Sequence, residues 1–290
     1  MAGTTYGSGD FVYELVPDWA KLPHGWVFTQ VAAVAVDADD NVYAFNRSEH
    51  PVIVFDRDGN FVRSFGEGNF PNAHGMCFAT DGTLWLVDNG DHTAKRYTTD
   101  GEHLMTLGTK DVPGEFGEPF NKPTDATVAT NGDVYISDGY GNTRVHVFSD
   151  SGEYKFSWGQ TNGLPGVWHG DFNLPHNIWI HKEVVYVADR ENHRVQLFDL
   201  EGKHLNTWTD FIQPTDIYID DNDIAYVGEL RNRVSIADLD GNVLSRWGRF
   251  PSKEPGQFFA AHGIWADSHG DVYVGEVLEG QRLQKFRRVR

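Results

Sequence analysis

The sequence predicts an all-β protein, a six-bladed β-propeller in which the N-terminal strand closes the last blade. Three observations carry this prediction. One structural unit occurs six times, and the sixth copy lacks its fourth strand. Turn residues are also frequent, and 31 glycines and 12 prolines in 290 residues interrupt any long amphipathic helix. We expect residues 1–290 to form a single six-bladed propeller domain, since propellers of this length are one ring of sheets.

The recurring unit is an apolar strand, a turn, a second strand that ends in a polar residue, a third strand, a tight turn and a fourth strand. The second strands read NVYAFN, TLWLVD, DVYISD, VVYVAD, IAYVGE and DVYVGE. One aromatic residue stands at the same register in each of them: Tyr43, Trp85, Tyr135, Tyr186, Tyr226 and Tyr273. Their spacing of 40 to 51 residues is typical of four-stranded blades.

Glycine turns separate the third and fourth strands of the first five units. They are Asp58-Gly59, Asp100-Gly101, Ser151-Gly152, Glu201-Gly202 and Asp240-Gly241. The sixth unit ends at RLQKFRRVR without such a turn, whereas FVYELVPDW near the N-terminus resembles the outer strands of other units. Pairing of this segment with the last blade would remove an exposed sheet edge.

The composition excludes several classes of partner. With 42 acidic against 24 basic residues the net charge is −18, which repels phosphate backbones and anionic lipids. We expect neither nucleic-acid nor membrane binding, because no apolar run is long enough for a bilayer and the first residues do not resemble a signal peptide. A cytoplasmic location follows as an expectation. The single cysteine, Cys77, is expected to be buried and inert.

Histidine recurs at one register of the repeat. Units two, four and six carry a histidine before the second-strand aromatic: His74, His176 and His262. The distance to the aromatic is 11 positions, or 10 in the fourth unit. In the other units it is small: Ala32, Thr124 or Thr215. Because the first strand of each blade lines the channel of a propeller, the three imidazoles should converge. Three such ligands would leave open positions on a catalytic metal ion, and the alternative is a set of hydrogen-bonded core histidines.

Residues that follow the second strands share the rim with these histidines. Arg47 and Arg190 are candidates to clamp a substrate carboxylate, with a structural ion pair as the alternative for each. Tyr140, between Gly139 and Gly141, is a candidate base, or a rim aromatic that only packs.

Other polar residues of the repeat are expected to be structural or exposed. The acids that end the second strands should accept backbone N–H groups in turns. Five other histidines fall in loops or third strands and should be exposed: His50, His92, His146, His193 and His204. The 159–175 segment is long enough for a lid, with Trp168 and His169 as possible substrate contacts.

The motifs KPTDATVATNGDVYISDGYGNTRVHVF, LPHNIWI and VYVADRENHRVQLF resemble the peptidyl-α-hydroxyglycine α-amidating lyases within the NHL-repeat propellers. The resemblance covers most of the chain. It implies His74, His176 and His262 as zinc ligands, Tyr140 as base, and Arg190 and Arg47 as substrate contacts.

The chain also departs from that family. Where the family has a methionine and an acid around its third zinc histidine, this chain has Ala260 and Gly263, which weighs against a structural Ca²⁺ ion. Hormone amidation is not expected either, since the family works outside the cell with disulfides and a copper monooxygenase.

The sequence therefore predicts a lyase that uses Zn²⁺ or another divalent transition metal. Its substrate would be a small carbinolamide or α-hydroxy acid that carries a carboxylate. A metal-dependent hydrolase of the lactonase type and a non-catalytic binding propeller remain alternatives.

Overall fold

The structure, a computed structural model, describes residues 4–115, 117–160 and 165–289. Six antiparallel sheets make the chain a six-bladed β-propeller, as predicted. Within the described residues the only helical element is a single 3₁₀ turn at Arg190–Asn192, and no helix could cross a membrane. Whether residues 1–290 are one domain stays a prediction.

Blades 1, 5 and 6 form one compact unit. Blade 1 comprises β3 (Val31–Val36), β4 (Val42–Asn46), β5 (Val52–Phe55) and β6 (Phe61–Phe65). Blade 5 comprises β19 (Pro214–Ile219), β20 (Ala225–Glu229), β21 (Arg233–Ala237) and β22 (Val243–Trp247). Blade 6 comprises β23 (Ala261–Ala266), β24 (Val272–Glu276) and β25 (Arg282–Arg288), followed by β2 (Phe11–Val16) and β1 (Thr5–Ser8).

Blades 2, 3 and 4 form a second compact unit. Blade 2 comprises β7 (Ala73–Phe78), β8 (Leu84–Asp88), β9 (Thr93–Tyr97) and β10 (His103–Leu107). Blade 3 comprises β11 (Asp125–Val128), β12 (Val134–Asp138), β13 (Arg144–Phe148) and β14 (Tyr154–Gly159). Blade 4 comprises β15 (Pro175–His181), β16 (Val184–Asp189), β17 (Arg194–Phe198) and β18 (His204–Trp208).

The second strands are the most deeply buried elements of the blades. Each of the six registered aromatic side chains is buried, at 3% exposure or less, so the register drawn on them is confirmed. In three blades the tyrosine hydroxyl donates to an aspartate of the preceding turn: Tyr43 to Asp37, Tyr226 to Asp220 and Tyr273 to Asp267. Aromatic residues suit these positions because a flat ring fills the space between stacked sheets and its hydroxyl reaches a polar partner.

The predicted glycine turns and the predicted closure are both present. All five turn glycines have φ between 80° and 90°, the left-handed region that costs glycine no steric strain. Strand β2 pairs antiparallel with β25, which supplies the missing fourth strand of blade 6. Strand β1, which the sequence analysis did not predict, adds a fifth strand outside β2. Cys77 is buried, as predicted.

Candidate metal centre and active site

Each of the three predicted metal ligands is the second residue of the first strand in its blade. A β-bulge stands at each of these positions, since the strand pairing skips His74, His176 and His262 while the residues on either side remain paired. A bulged residue is freed from the pleat and its side chain is aimed in a new direction. The local backbone thus accounts for the way these imidazoles leave the sheet.

Backbone carbonyls fix the tautomer of two of these histidines. His74 Nδ1 lies 2.7 Å from the carbonyl oxygen of Thr124, and His262 Nδ1 lies 2.6 Å from that of Ala32. A carbonyl oxygen only accepts, so Nδ1 carries the proton and donates in both cases. Nε2 is therefore the unprotonated nitrogen, which is the arrangement that metal-binding histidines commonly have.

His74, His176 and His262 form a buried triad that could hold a metal ion. The three side chains are 2%, 1% and 4% exposed, and each offers one imidazole nitrogen as a ligand. Three neutral imidazole nitrogens suit Zn²⁺ and several other divalent transition metals. The donor set and the tautomers therefore fit the ion that the sequence predicts, although they do not select one metal.

Tyr140 lies beside two of these histidines. Its hydroxyl oxygen is 3.2 Å from Nε2 of His74 and 3.2 Å from Nε2 of His176. The residue as a whole is 39% exposed. A phenol oxygen adjacent to candidate ligand nitrogens is well placed for proton transfer.

The glycines on either side of Tyr140 are required by close approach. A Cβ on Gly139 would lie 2.2 Å from the carbonyl oxygen of Pro175, and a Cβ on Gly141 would lie 2.2 Å from the side chain of Asn121. Both glycines pack closely against neighbouring segments, which fixes the position of Tyr140.

Arg190 joins Tyr140 to a buried polar network. Its Nη1 donates to the Tyr140 hydroxyl at 3.1 Å and its Nε donates to Oε1 of Glu191 at 2.8 Å. The other oxygen of Glu191 accepts from Nε2 of Gln213 at 2.8 Å. Arg190 is 9% exposed, so its guanidinium is held in one orientation with its charge beside the phenol.

Arg47 follows β4 in blade 1, as the sequence predicts. Its Nη1 donates to Oε1 of Gln30 at 2.6 Å, and its backbone N–H donates to the Gln30 carbonyl. The side chain lines a cleft of about 440 Å³ together with Trp26 and His50. Its role as a substrate contact stays a prediction.

The acids that end the second strands have the structural role that the sequence analysis gave them. Asp88, Asp189 and Glu276 accept backbone N–H groups from the segments that lead into the histidine strands: Asn72, Asn173 and Phe259. These N–H groups lie two or three residues before His74, His176 and His262. Each acid thus anchors the segment that carries a predicted metal ligand.

The 159–175 segment is only partly described, because residues 161–164 lie outside the described residues. Arg194 donates to the carbonyl oxygens of Val167 and Trp168 at 3.0 and 2.9 Å and fixes this part of the segment. Trp168 is 76% exposed. His169 stacks on His204 at 4.4 Å between ring centroids, so its ring packs against strand β18 of blade 4. A lid function stays a prediction.

His146 corrects one sequence expectation. It is fully buried in β13 and its Nε2 lies 3.2 Å from Oδ2 of Asp138, which also accepts from Asn142. The expectation of an exposed ring was wrong because Asp138 supplies a buried polar partner.

The chain is similar to several known proteins. A family model described as NHL repeat matches residues 120–148. A peptidylglycine alpha-amidating monooxygenase from Rattus norvegicus is 31% identical over 229 residues, which cover 68% of this chain and 23% of the relative. A probable peptidyl-alpha-hydroxyglycine alpha-amidating lyase from Caenorhabditis elegans is 30% identical over 197 residues, which cover 58% of this chain and 55% of the relative.

The chain thus spans less than two thirds of the length of these relatives. The solved structure of a gluconolactonase from Xanthomonas campestris has the same fold, with a TM-score of 0.66 and 15% identity over 99% of this chain and 98% of that one. The chain is an amidating-lyase-like NHL-repeat propeller, and the resemblance stated from its motifs is confirmed.

Proposed function

We propose that the protein is a metal-dependent lyase, using zinc or another divalent transition metal, that cleaves a small carbinolamide or related α-hydroxy acid. The observation that carries the proposal is the position of the Tyr140 hydroxyl, 3.2 Å from Nε2 of His74 and of His176 and bonded to Arg190. Relatives named amidating lyases support the same reaction class.

A carbinolamide carries a hydroxyl and an amide nitrogen on one carbon, and its cleavage breaks the carbon–nitrogen bond. A metal ion held by His74, His176 and His262 would supply Lewis-acid polarisation of a substrate hydroxyl or carboxylate oxygen. Tyr140 is the candidate base: in its deprotonated form its oxygen takes the proton of the substrate hydroxyl. The C–O bond becomes a carbonyl as the C–N bond breaks, and the same proton passes to the leaving amide nitrogen. An α-hydroxyglycine derivative would yield an amide and glyoxylate.

Arg190 supplies the positive charge that this reaction needs. Its N–H group donates to the Tyr140 oxygen, which stabilises negative charge there while the proton is transferred. Glu191 holds the guanidinium in place, so Arg190 needs no rearrangement during turnover. We propose that Arg190 and Arg47 also bind the substrate carboxylate.

Two alternatives make different products. A hydrolase of the lactonase type would open a lactone ring by adding water; the likeness to the gluconolactonase concerns the fold alone. A non-catalytic binding propeller would hold no metal and release no product. The cytoplasmic location and the exclusion of nucleic-acid and membrane partners stay predictions that rest on the charge of −18 and the apolar pattern of the sequence.

Metal analysis combined with a product assay tests the proposal. Purified protein should contain near-stoichiometric zinc or another transition metal, and it should release glyoxylate from an N-acyl-α-hydroxyglycine. His176→Gln should lose both properties, whereas the matched change His103→Gln, at an exposed histidine of β10, should keep both. Opening of a lactone without glyoxylate release would establish the hydrolase instead, and metal-free inactive protein would establish the scaffold.

A further inference from the structure

Strand β11 lies between the two histidine strands of its unit and contacts both β7 and β15. We propose that Thr124, directly before this strand, and Asp125, its first residue, are positioning residues that hold the imidazoles of His74 and His176 at the separation a shared metal ion requires. The inference rests on the proposed metal site. In the sequence, Thr124 stands out only as a small residue at the histidine register, and Asp125 has no assigned role.

Thr124 contacts both histidine segments through two different groups. Its carbonyl oxygen accepts from Nδ1 of His74 at 2.7 Å. Its hydroxyl lies within donor distance of the carbonyl oxygen of Pro175, the residue before His176, at 2.8 Å, and also of the hydroxyl and carbonyl oxygens of Ser137 at 2.7 and 3.0 Å. Thr124 is fully buried, so water does not compete for either bond. One residue thus fixes a ring orientation on one side and a backbone position on the other.

Asp125 forms a second link between the same two strands. Its Oδ2 accepts from Nδ2 of Asn177, the residue after His176, at 2.5 Å. On the opposite side it packs against Gly75, the residue after His74, where an added Cβ would lie 2.2 Å from Oδ1 of Asp125. Glycine at position 75 therefore makes room for the carboxylate between the two strands.

The same arrangement recurs in the other unit. Thr215 donates through its hydroxyl to the carbonyl oxygen of Ala261, the residue before His262, at 3.1 Å. Asp216 accepts from the backbone N–H of Ile264 at 2.8 Å. The sequence Pro-Thr-Asp stands at both places, 123–125 and 214–216, one blade before a histidine blade. Two contacts are common to both places: the threonine hydroxyl lies within donor distance of the carbonyl before the histidine, and the aspartate accepts from the backbone N–H two residues after it, that of Ile178 at 3.4 Å and that of Ile264 at 2.8 Å.

Removal of the Thr124 hydroxyl should therefore weaken metal binding more than it weakens the fold. Partners that orient metal-bound histidines typically change metal affinity by about 10- to 100-fold when they are replaced. Thr124→Val keeps the volume and the carbonyl but removes the bond to Pro175. We expect its affinity for Zn²⁺ and Co²⁺ to fall by about tenfold or more.

The experiment uses the full chain stripped of metal and titrated with Zn²⁺ and Co²⁺ against a competing chelator. The visible absorption of bound Co²⁺ reports the coordination geometry, which a loss of stability alone does not alter. Thr127→Val is the matched control, since Thr127 lies on the same strand and is also buried. Thr124→Ser retains the hydroxyl and should restore the affinity.

The possible outcomes distinguish the proposed metal site from the proposed positioning role of Thr124. Wild-type protein that binds neither metal overturns the proposed metal site itself. Wild-type binding together with unchanged affinity and spectrum in Thr124→Val overturns the positioning role and leaves the metal site intact. Equal losses in Thr124→Val and Thr127→Val also overturn it, because the effect would then be general. If Thr124→Val does not fold, Asp125→Asn is measured in its place with the same expectation and the same control.

Discussion

Nη1 of Arg190 donates a hydrogen bond to the hydroxyl oxygen of Tyr140 at 3.1 Å, and the guanidinium also lies over the Tyr140 ring at 5.4 Å from its centroid. The phenol therefore has a cation on one side and two imidazole nitrogens on the other. These polar contacts are not expected of an aromatic residue that only packs on a rim.

Replacement of Tyr140 by phenylalanine should abolish most turnover and leave the metal site intact. The phenol hydroxyl is the candidate base, and general acid–base catalysis typically contributes about 10²- to 10⁴-fold to a rate. We expect kcat for glyoxylate release to fall within that range while metal content stays at the wild-type level, because all three histidines remain. Steady-state kinetics and metal analysis of the same sample measure both. Turnover close to wild type would remove Tyr140 from the mechanism.

Lysine at position 190 should be a poor substitute for arginine. A single ammonium group cannot contact Tyr140 and Glu191 with the fork geometry of a guanidinium, and a charged hydrogen bond is worth about 1.5 to 3 kcal/mol. We expect kcat/KM to fall roughly ten- to hundredfold in Arg190→Lys.

A matched control for this change exists in blade 1. Arg63 Nη2 donates to the hydroxyl of Tyr43 at 2.9 Å, the same type of contact outside the proposed site. Arg63→Lys should leave kcat/KM unchanged. Equal losses in the two variants would mean that the arginine acts on stability rather than on the reaction.

The sequence carried enough information to find the three histidines because blades repeat their geometry. A tyrosine or tryptophan fills the same buried space in each second strand, so the aromatic residues give the register without an alignment. The bulge at His74, His176 and His262 lies 10 or 11 residues before that aromatic, which is why the histidines recur at nearly the same offset.

Other features depend on contacts between distant segments, which a periodic pattern does not contain. The Thr124 carbonyl reaches His74 across 50 residues, and Asp125 reaches Asn177 across 52. Strand β1, with the sequence TYGS, has no apolar alternation and is held by its pairing with β2. His146 is buried because Asp138 lies opposite it, and its own strand has the same pattern as its neighbours.

Acidification should loosen the segment that contains His169. Burial, and then the neighbouring charges of His169 and Arg194, hold the pKa of His204 below its usual range. The unfolded chain therefore binds a proton at a higher pH than the folded chain does. This histidine contributes stability that is present above its unfolded pKa of about 6.5 and is lost as the pH falls through the lower folded value.

His204→Asn removes the titrating group and tests this pH dependence. Melting temperature should fall less in the variant than in the wild type between about pH 7 and about pH 5. Hydrogen exchange of residues 165–175 should accelerate over the same range in the wild type only. Parallel curves for both proteins would contradict the role of His204, and His103→Asn, on another outer strand, serves as the control.

Closure of the last blade by the N-terminal strand should be a main source of stability, because the single cysteine allows no internal disulfide. Tyr13 on β2 is fully buried and stacks on Trp247 with ring centroids 5.3 Å apart. Truncation of a buried aromatic side chain to alanine typically costs about 3 to 5 kcal/mol. We expect Tyr13→Ala to lower the free energy of unfolding by that amount, as measured by urea denaturation followed by tryptophan fluorescence.

Glu14, the next residue on β2, provides the comparison. Its carboxylate accepts from Arg287 at 2.8 Å in an exposed ion pair, a type of contact worth at most about 1 kcal/mol. Glu14→Ala should therefore change the free energy of unfolding by less than about 1 kcal/mol. If β2 is needed to complete the last blade, removal of its buried aromatic side chain has to destabilise that blade. A small loss of unfolding free energy in both variants would therefore mean that β2 contributes little to stability.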